Sequence, residues 1–269
     1  MRVSLVCIAK NEDYYIKEWI SYNKLLGFDN IFIYQNDWRT DIENESIVKV
    51  PFDGKKKQIA AYDHFLRNHS KLFDWVAFFD VDEFLVLKRH KNIKDFLDDY
   101  SQHQAVSINW VLFGDNGLTG KPIHDFGVVN RFTKRQVGVH SLVKTIVKTR
   151  IGNHIRNFKI NVHRPNVKCV DTHHRIVRGP HNPGGRDTIA QINHYFCKTL
   201  EEFKLKVERG RADSFSKRNT AEFFEHNRNE LEDLSAIEFF SQAEQKGLTN
   251  SILSDQKDKS LFKTIKYFL

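Results

Sequence analysis

The most informative stretch of the chain reads DWVAFFDVDEFLVL, residues 74–87, with two carboxylates separated by one residue at its centre. The apolar run before Asp80 predicts a buried strand, and apolar residues resume after Glu83. Because side chains alternate along a strand, Asp80 and Asp82 point the same way if the strand continues through Val81. Two such carboxylates repel unless a cation joins them, and their oxygens suit Mn²⁺ or Mg²⁺. The stretch therefore predicts a divalent metal site, against the simpler reading of two solvated turn carboxylates.

Strands and helices alternate on both sides of this stretch. Short apolar runs predict strands at residues 3–8, 31–34, 47–50 and 73–79. Apolar residues at helical spacing predict helices between them, and Gly27 is placed to end the first helix. This alternation is typical of an α/β fold with a mostly parallel, Rossmann-type sheet flanked by helices. Ligands of such sheets bind beyond the carboxyl ends of the strands.

Three polar segments fall at that predicted edge of the sheet. Lys10, Asn11 and Glu12 follow the first strand, Asp37 follows the second, and residues 80–82 follow the fourth. Three polar loops on one rim predict a binding site. Helix capping by the polar residues after the first strand is the structural alternative, and it is compatible with binding.

Composition limits the class of protein. The 269 residues are enough for one substantial core, and a formal charge of +8 indicates anionic partners. Three cysteines without a CxxC spacing favour a reducing compartment. No apolar run is long enough to span a membrane. The expectation is a cytoplasmic protein.

The C-terminal region is charged and has helical spacing beyond Gly210. We expect a catalytic domain over residues 1–213 and a helical extension over residues 214–269. Near the end, residues 257–269 combine an apolar stripe with lysines. Such a helix either packs on the domain or makes peripheral contact with an anionic membrane at its inner face.

Several motifs taken in order resemble one protein family. They are CIAKNE at residues 7–12, EWI at 18–20, WVAFFDVDEF at 75–84, Trp110-x-x-Phe113-Gly114, and NHY at 193–195 with the Lys and Glu pattern that leads to Arg211. Over roughly residues 3–213 the chain resembles the family 2/family 92-type glycosyltransferases with a GT-A fold. The resemblance implies sugar transfer, with inversion, from a nucleotide-sugar donor such as a UDP-sugar to a glycan acceptor. It also implies a Mn²⁺-type ion on the diphosphate.

The resemblance also implies roles for individual residues. Asp82 would coordinate the ion, Asp80 would share it or face the ribose, and His194 is a candidate third ligand, with a structural histidine as the alternative. Residues about 1–113 would hold the nucleotide sugar and about 114–213 the acceptor. The candidates for nucleotide contacts are Lys10, Asn11, Glu12, Asp37, Gln58 and Asp80.

An inverting transfer needs a general base near the acceptor hydroxyl. Asp115, in the turn after Gly114, is the first candidate, and Asp213, after Gly210, is the second. Ordinary turn chemistry is the alternative for both aspartates. The sequence leaves this choice open.

Two other classes of protein compete with the transferase. A phosphatase of the Asp-x-Asp type usually carries Gly-Thr after its second aspartate, whereas Glu83 and Phe84 follow here. A basic nucleic-acid-binding protein without catalysis is suggested by the charge and by basic strands at residues 144–150 and 156–159. That reading leaves the rim carboxylates unexplained, so no nucleic acid is expected as a partner. Neither the donor sugar nor the acceptor is determined by these residues. The family resemblance suggests galactose as the donor sugar, and the acceptor side is expected to belong to bacterial surface polysaccharide or lipid-linked glycan synthesis.

Overall fold

The computed structural model describes residues 1–120, 127–151, 154–155, 162–212 and 216–245. The strands are β1 (Val3–Ala9), β2 (Asn30–Gln35), β3 (Ile47–Pro51), β4 (Trp75–Phe78), β5 (Glu83–Leu87), β6 (Ala105–Leu112), β7 (Lys134–Arg135), β8 (Val143–Lys148), β9 (Arg150–Ile151), β10 (His154–Ile155), β11 (Cys169–Asp171), β12 (Ile176–Val177), β13 (Ala190–His194) and β14 (Leu231–Glu232). The helices are α1 (Ile16–Leu25), α2 (Gln58–Asn68), α3 (Ile93–Asp98), α4 (Val128–Arg131), α5 (Leu200–Arg209), α6 (Ala221–His226) and α7 (Ser235–Gln245), with a 3-10 turn at Ser70–Leu72.

The central sheet has the strand order β12-β11-β6-β8-β4-β1-β2-β3, and β13 joins it through β6 and β5. The run β4-β1-β2-β3 is parallel throughout. In contrast, β8 is antiparallel to both β4 and β6. The predicted α/β fold with a mostly parallel sheet and flanking helices is therefore confirmed.

The central sheet is buried between two hydrophobic core clusters. All seven residues of β1 are buried, and so are all eight of β6, because helices or further strands cover both faces of the sheet. One core cluster lies on the α1 side, where Trp19 and Ile20 are fully buried. A second cluster lies on the α2 side around Phe65. The carboxyl ends of β1, β2 and β4 consequently open on the same edge of the sheet.

The strand that precedes the carboxylate pair ends earlier than the sequence suggested. β4 stops at Phe78, and residues 79–82 form a tight connection in which the Glu83 amide donates to the Asp80 carbonyl at 3.0 Å. The expectation that the strand continues through Val81 is therefore wrong. Val81 is buried in the core instead, so Asp80 and Asp82 are placed by a turn and not by strand alternation.

The region beyond residue 213 packs against the rest of the protein where it is described. β14 pairs with β7, and Phe239 and Phe240 of α7 lie against the ring of Tyr22. Within the described ranges no helix is long and apolar enough to cross a membrane. The segment 257–269, for which membrane contact is predicted, lies outside the described residues.

Candidate active site

A cavity of about 590 Å³ opens at the carboxyl edge of the parallel strands. β1 contributes Ile8 and Ala9, the β4–β5 turn contributes Asp80, Val81 and Asp82, and further walls come from β6, β13, α5 and the chain that follows α5. Its lining includes eight Lys or Arg side chains but four Asp or Glu side chains. A water-accessible cleft with this excess of cations favours an anionic ligand.

Asp80 is held by two neighbours. Its Oδ2 lies 2.9 Å from Lys144 Nζ, and its Oδ1 accepts a hydrogen bond from Gln58 Nε2 at 2.9 Å. The Asp80 side chain remains one-third exposed, at 33%, so its carboxylate still faces the cavity. Gln58, predicted as a nucleotide contact, lines the same cavity and orients Asp80.

Lys144 is fully buried beneath this carboxylate. Its ammonium also lies 3.2 Å from Glu83 Oε2, and Glu83 is itself fully buried. Burial raises the pKa of Glu83 well above its usual range, although Lys144 opposes the shift. For Lys144, burial lowers the pKa, but Asp80 and Glu83 outweigh it and the net shift is upward. The lysine is therefore charged, and its ammonium contacts the side chains of both Asp80 and Glu83.

Asp82 is paired with a different lysine. Lys206 Nζ lies 2.5 Å from Asp82 Oδ2 and donates to the Phe196 carbonyl at 3.0 Å. Burial alone would raise the pKa of Asp82, but Lys206, His194 and Lys198 together hold it well below the usual range. Burial lowers the pKa of Lys206 to about 8, against the attraction of Asp82. Asp82 is an anion whose present neighbours are cations or a histidine.

His194 reaches the same carboxylate from the end of β13. Its Nε2 lies 3.7 Å from Asp82 Oδ1, and its Nδ1 is buried with no hydrogen-bond partner among the described residues. Burial lowers the pKa of His194 well below its usual range, so the imidazole is neutral. A neutral imidazole beside a carboxylate is a usable pair of metal ligands.

The donor atoms at Asp82 suit a divalent cation. Asp82 Oδ1 and His194 Nε2 are close enough to reach one ion after a small adjustment. Within the described part of the chain, no group of three or more His, Cys, Asp or Glu side chains is assembled for a metal. Mg²⁺-type ions in nucleotide sites commonly have one or two carboxylate ligands and complete their shell with water and substrate phosphates. The metal site stays a prediction, and the residues present fit it.

Of residues 10–12, which follow β1, only two line the cavity. Lys10 and Glu12 line it, and Glu12 pairs with Arg209 of α5. Asn11 is exposed, has a left-handed φ of 53°, and is not among the lining residues. Asp37 is also outside the lining, but it binds Lys10 Nζ at 3.0 Å and so holds that lysine at the rim.

The first candidate for the general base lies apart from the cavity lining. Both oxygens of Asp115 accept hydrogen bonds, Oδ1 from the Gly117 amide at 2.9 Å and Oδ2 from Asn227 Nδ2 at 3.0 Å. A further bond from Asn229 Nδ2 to Oδ1 measures 3.2 Å. The structure thus places Asp115 in the turn role that the sequence left open as its alternative. Asp213 lies outside the described residues, next to Ala212, which lines the cavity.

Several residues of this site were not predicted from the sequence. Lys144 had been grouped with the basic strands, yet it is fully buried under Asp80. Lys206 and Arg211 were quoted only as part of the family pattern, and Arg209 and Arg218 were not named, although all four line the cavity. The spacing of Glu202, Lys206 and Arg209 on α5 was the available signal, because residues at i, i+4 and i+7 share one helix face.

Comparison with known proteins identifies the family of the chain. The family model for glycosyltransferase family 92 matches residues 3–234. A family 92 protein of Ricinus communis is 29% identical over 221 residues, covering 76% of this chain and 37% of the relative. A family 92 protein of Arabidopsis thaliana is 26% identical over 219 residues, covering 74% of this chain and 36% of the relative. The chain thus spans little more than a third of the length of these curated plant relatives.

Solved structures give a weaker similarity. A cytidylyltransferase from Francisella tularensis that acts on 2-C-methyl-D-erythritol 4-phosphate is 16% identical, with a TM-score of 0.31, over 55% of this chain and 73% of that chain. A 4-diphosphocytidyl-2C-methyl-D-erythritol synthase from Anaerococcus prevotii is 12% identical, with a TM-score of 0.27, over 55% of this chain and 71% of that chain. At these TM-scores nothing about fold or function follows.

Proposed function

Because the chain belongs to glycosyltransferase family 92, we propose that it transfers a sugar from a nucleotide-sugar donor to a glycan acceptor with the help of a divalent cation. The observation that carries this proposal is the position of Asp80 and Asp82 in the wall of a cavity with a cationic lining. A nucleotide sugar is an anionic ligand that needs both features. The carboxylates attract a cation, and the lysines and arginines attract the diphosphate.

The proposed chemistry requires charge stabilisation at the leaving group. As the sugar departs, negative charge develops on the diphosphate, and fixed positive charge lowers the barrier. A cation at Asp82 and His194, of the Mn²⁺ or Mg²⁺ type, would supply part of that charge. Lys144 and Gln58 orient Asp80 in the cavity wall before substrate binds. This preorganisation avoids rearranging the carboxylate during the reaction.

The acceptor side needs a general base, and inversion at the anomeric carbon requires it on the face opposite the leaving group. Asp213 is the remaining proposal from the sequence, because it follows the lining residue Ala212. Glu208 is a second carboxylate to test. It lines the cavity and is exposed, and the described residues form no ion pair with it. A base with this accessibility can meet an incoming hydroxyl.

The cavity also distinguishes this proposal from nucleic-acid binding. Lys144, one of the residues that suggested a basic binding face, is fully buried and pairs with Asp80 and Glu83. It is therefore unavailable to a phosphate backbone. Eight other Lys or Arg side chains line the cleft, whose size suits one small anionic molecule better than a long polymer.

A donor panel tests the function. The purified chain is incubated with Mn²⁺ and individual nucleotide sugars, starting with UDP-galactose, and release of the nucleoside diphosphate is measured with and without a glycan acceptor. We expect one donor to be turned over and the rate to fall to background when EDTA removes the cation. Absence of turnover with every donor and acceptor, in a protein that is folded by circular dichroism, would contradict the proposal.

A further inference from the structure

Two cations lie over the ring of Phe196 at the wall of the cavity. Lys206 Nζ is 4.1 Å from the ring centroid, and the guanidinium carbon of Arg218 is 4.9 Å from it. All three residues line the cavity. Two like charges on one ring repel each other, and an aromatic face offsets only part of that cost. An anion bound beside both cations would offset this repulsion.

Arg218 differs from the other arginines of the cavity. Arg209 pairs with Glu12, and Arg211 pairs with Glu222 at 2.7 Å. Arg218 forms no salt bridge with any described residue, and its Nε and Nη1 are buried without a hydrogen-bond partner there. Buried guanidinium nitrogens without acceptors cost free energy unless a ligand supplies the acceptors. Arg218 therefore has buried N–H donors that an anionic ligand would satisfy.

Among the residues that the structure describes, Lys206 has a single carboxylate partner. Asp82 balances its charge, and the other polar contact of its ammonium is the neutral Phe196 carbonyl. Lys198 and Arg218 add positive potential at the same place. If a divalent cation binds Asp82, the local excess of positive charge becomes larger. A ligand with more than one negative charge is then required for balance.

We propose that Lys206 and Arg218 together bind the diphosphate of the nucleotide-sugar donor, with Lys206 exchanging its contact with Asp82 for a phosphate oxygen. This assignment rests on the proposed function and adds the residues that hold the leaving group. The planar guanidinium of Arg218 can donate two parallel hydrogen bonds to one phosphate, whereas Lys206 acts as a point charge. Asp82 is thereby released by Lys206 when the phosphates and a cation arrive together.

The test compares binding of UDP with binding of uridine. Affinity for UDP is measured by calorimetry in the presence of Mn²⁺, and affinity for uridine by ligand-observed NMR, for the wild type and for Arg218→Gln and Lys206→Met. Arg228→Gln and Lys204→Met are matched controls, since both side chains are about half exposed, form surface pairs and do not line the cavity. Arg218→Lys keeps the charge but loses the paired donors. Mn²⁺ binding without nucleotide is measured by electron paramagnetic resonance.

We expect UDP affinity to fall about 10-fold or more in Arg218→Gln and in Lys206→Met, because each loses a charge-assisted hydrogen bond. Uridine affinity should not change in these variants, and the two control variants should bind UDP as tightly as the wild type. The UDP affinity of Arg218→Lys should lie between those of the wild type and Arg218→Gln. Mn²⁺ should bind Lys206→Met more tightly than the wild type, because a competitor for Asp82 is gone. Arg218→Gln should not lower the melting temperature, because it breaks no salt bridge within the described residues and removes buried donors that have no acceptor there.

Two results would overturn the assignment. One is wild-type UDP affinity in either variant, and the other is an equal loss of uridine and UDP binding. In both cases the proposed function survives as long as the wild type turns over a donor. Failure of the wild type to bind UDP or any other nucleoside diphosphate would instead count against the proposed function itself.

Discussion

Lys144 and Asp80 form an ion pair with a separation of 2.9 Å in which the lysine is fully buried and the aspartate is one-third exposed, at 33%. The lysine lies on β8, in register with Ile108 of β6, and Asp80 follows the end of β4. The pair therefore joins two neighbouring strands of the central sheet at the edge where the cavity opens. The buried lysine thereby fixes the position of the Asp80 carboxylate in the cavity wall.

Lys144→Met should destabilise the fold, because Asp80 and Glu83 would lose the cation that they share in a buried site. Removing one partner of a buried ion pair costs about 3–5 kcal/mol. The free energy of unfolding is measured by urea denaturation. Adding Glu83→Gln to this variant should recover part of the loss, since a neutral amide replaces a buried acid that has lost its cation. Lys204→Met is the surface control. A stability equal to the wild type would show that the buried pair contributes nothing.

Asp82→Asn should abolish nearly all turnover while the protein stays folded, because the amide keeps the shape of the side chain but cannot neutralise a cation. The measurements are the rate of donor turnover and Mn²⁺-dependent binding of UDP by calorimetry. A wild-type rate and wild-type Mn²⁺-dependent binding in this variant would remove Asp82 from the metal site.

The position of Asp115 changes what its substitution should do. In the Asp115→Asn variant the bonds from Asn227 and Asn229 meet an amide in place of a carboxylate, so we expect a loss of stability of about 1 kcal/mol with transfer largely retained. Asp213→Asn should lower transfer by about 10² or more with donor binding kept, as for loss of a general base. Glu208→Gln is measured in parallel. A large loss of transfer in Asp115→Asn alone would restore Asp115 as the base.

His69 makes stability depend on pH. Its side chain is buried, and burial, with help from His64 and Lys71, lowers its pKa to about 4. The unfolded chain has a histidine pKa of about 6.5, so it binds the proton first as the pH falls. The contribution of a neutral His69 is complete above about pH 6.5 and is lost as the pH falls toward 4.

His69→Phe should remove this dependence while keeping an aromatic ring against Phe32 and Phe65. As the pH falls from 7.5 to 5, the wild type should lose about 2 kcal/mol of unfolding free energy that the variant keeps. Urea denaturation at the two values of pH measures the change. Parallel pH profiles for the two proteins would contradict the shift assigned to His69.

The sequence predicted the features that depend on neighbours along the chain. Apolar runs of strand length, helical spacing between them and the polar residues at strand ends placed the candidate site at the edge of the sheet where the cavity opens. These signals are local, because periodicity reports which face of each element is buried. The same local information identified the family, since its motifs lie in order along the chain.

The tertiary structure decided which side chains pair with the aspartates that the sequence singled out. Asp80 meets Lys144 across 64 residues of sequence, and Asp82 meets Lys206 across 124. Asp115 is taken by Asn227, which lies 112 residues away. Strand order and register set these contacts, and a composition rule that places lysines at the surface points the other way for Lys144. Because the attraction between opposite charges depends on their separation in space, which the order of residues along the chain does not give, the sequence could nominate the carboxylates, but only folding could select the cations that hold them.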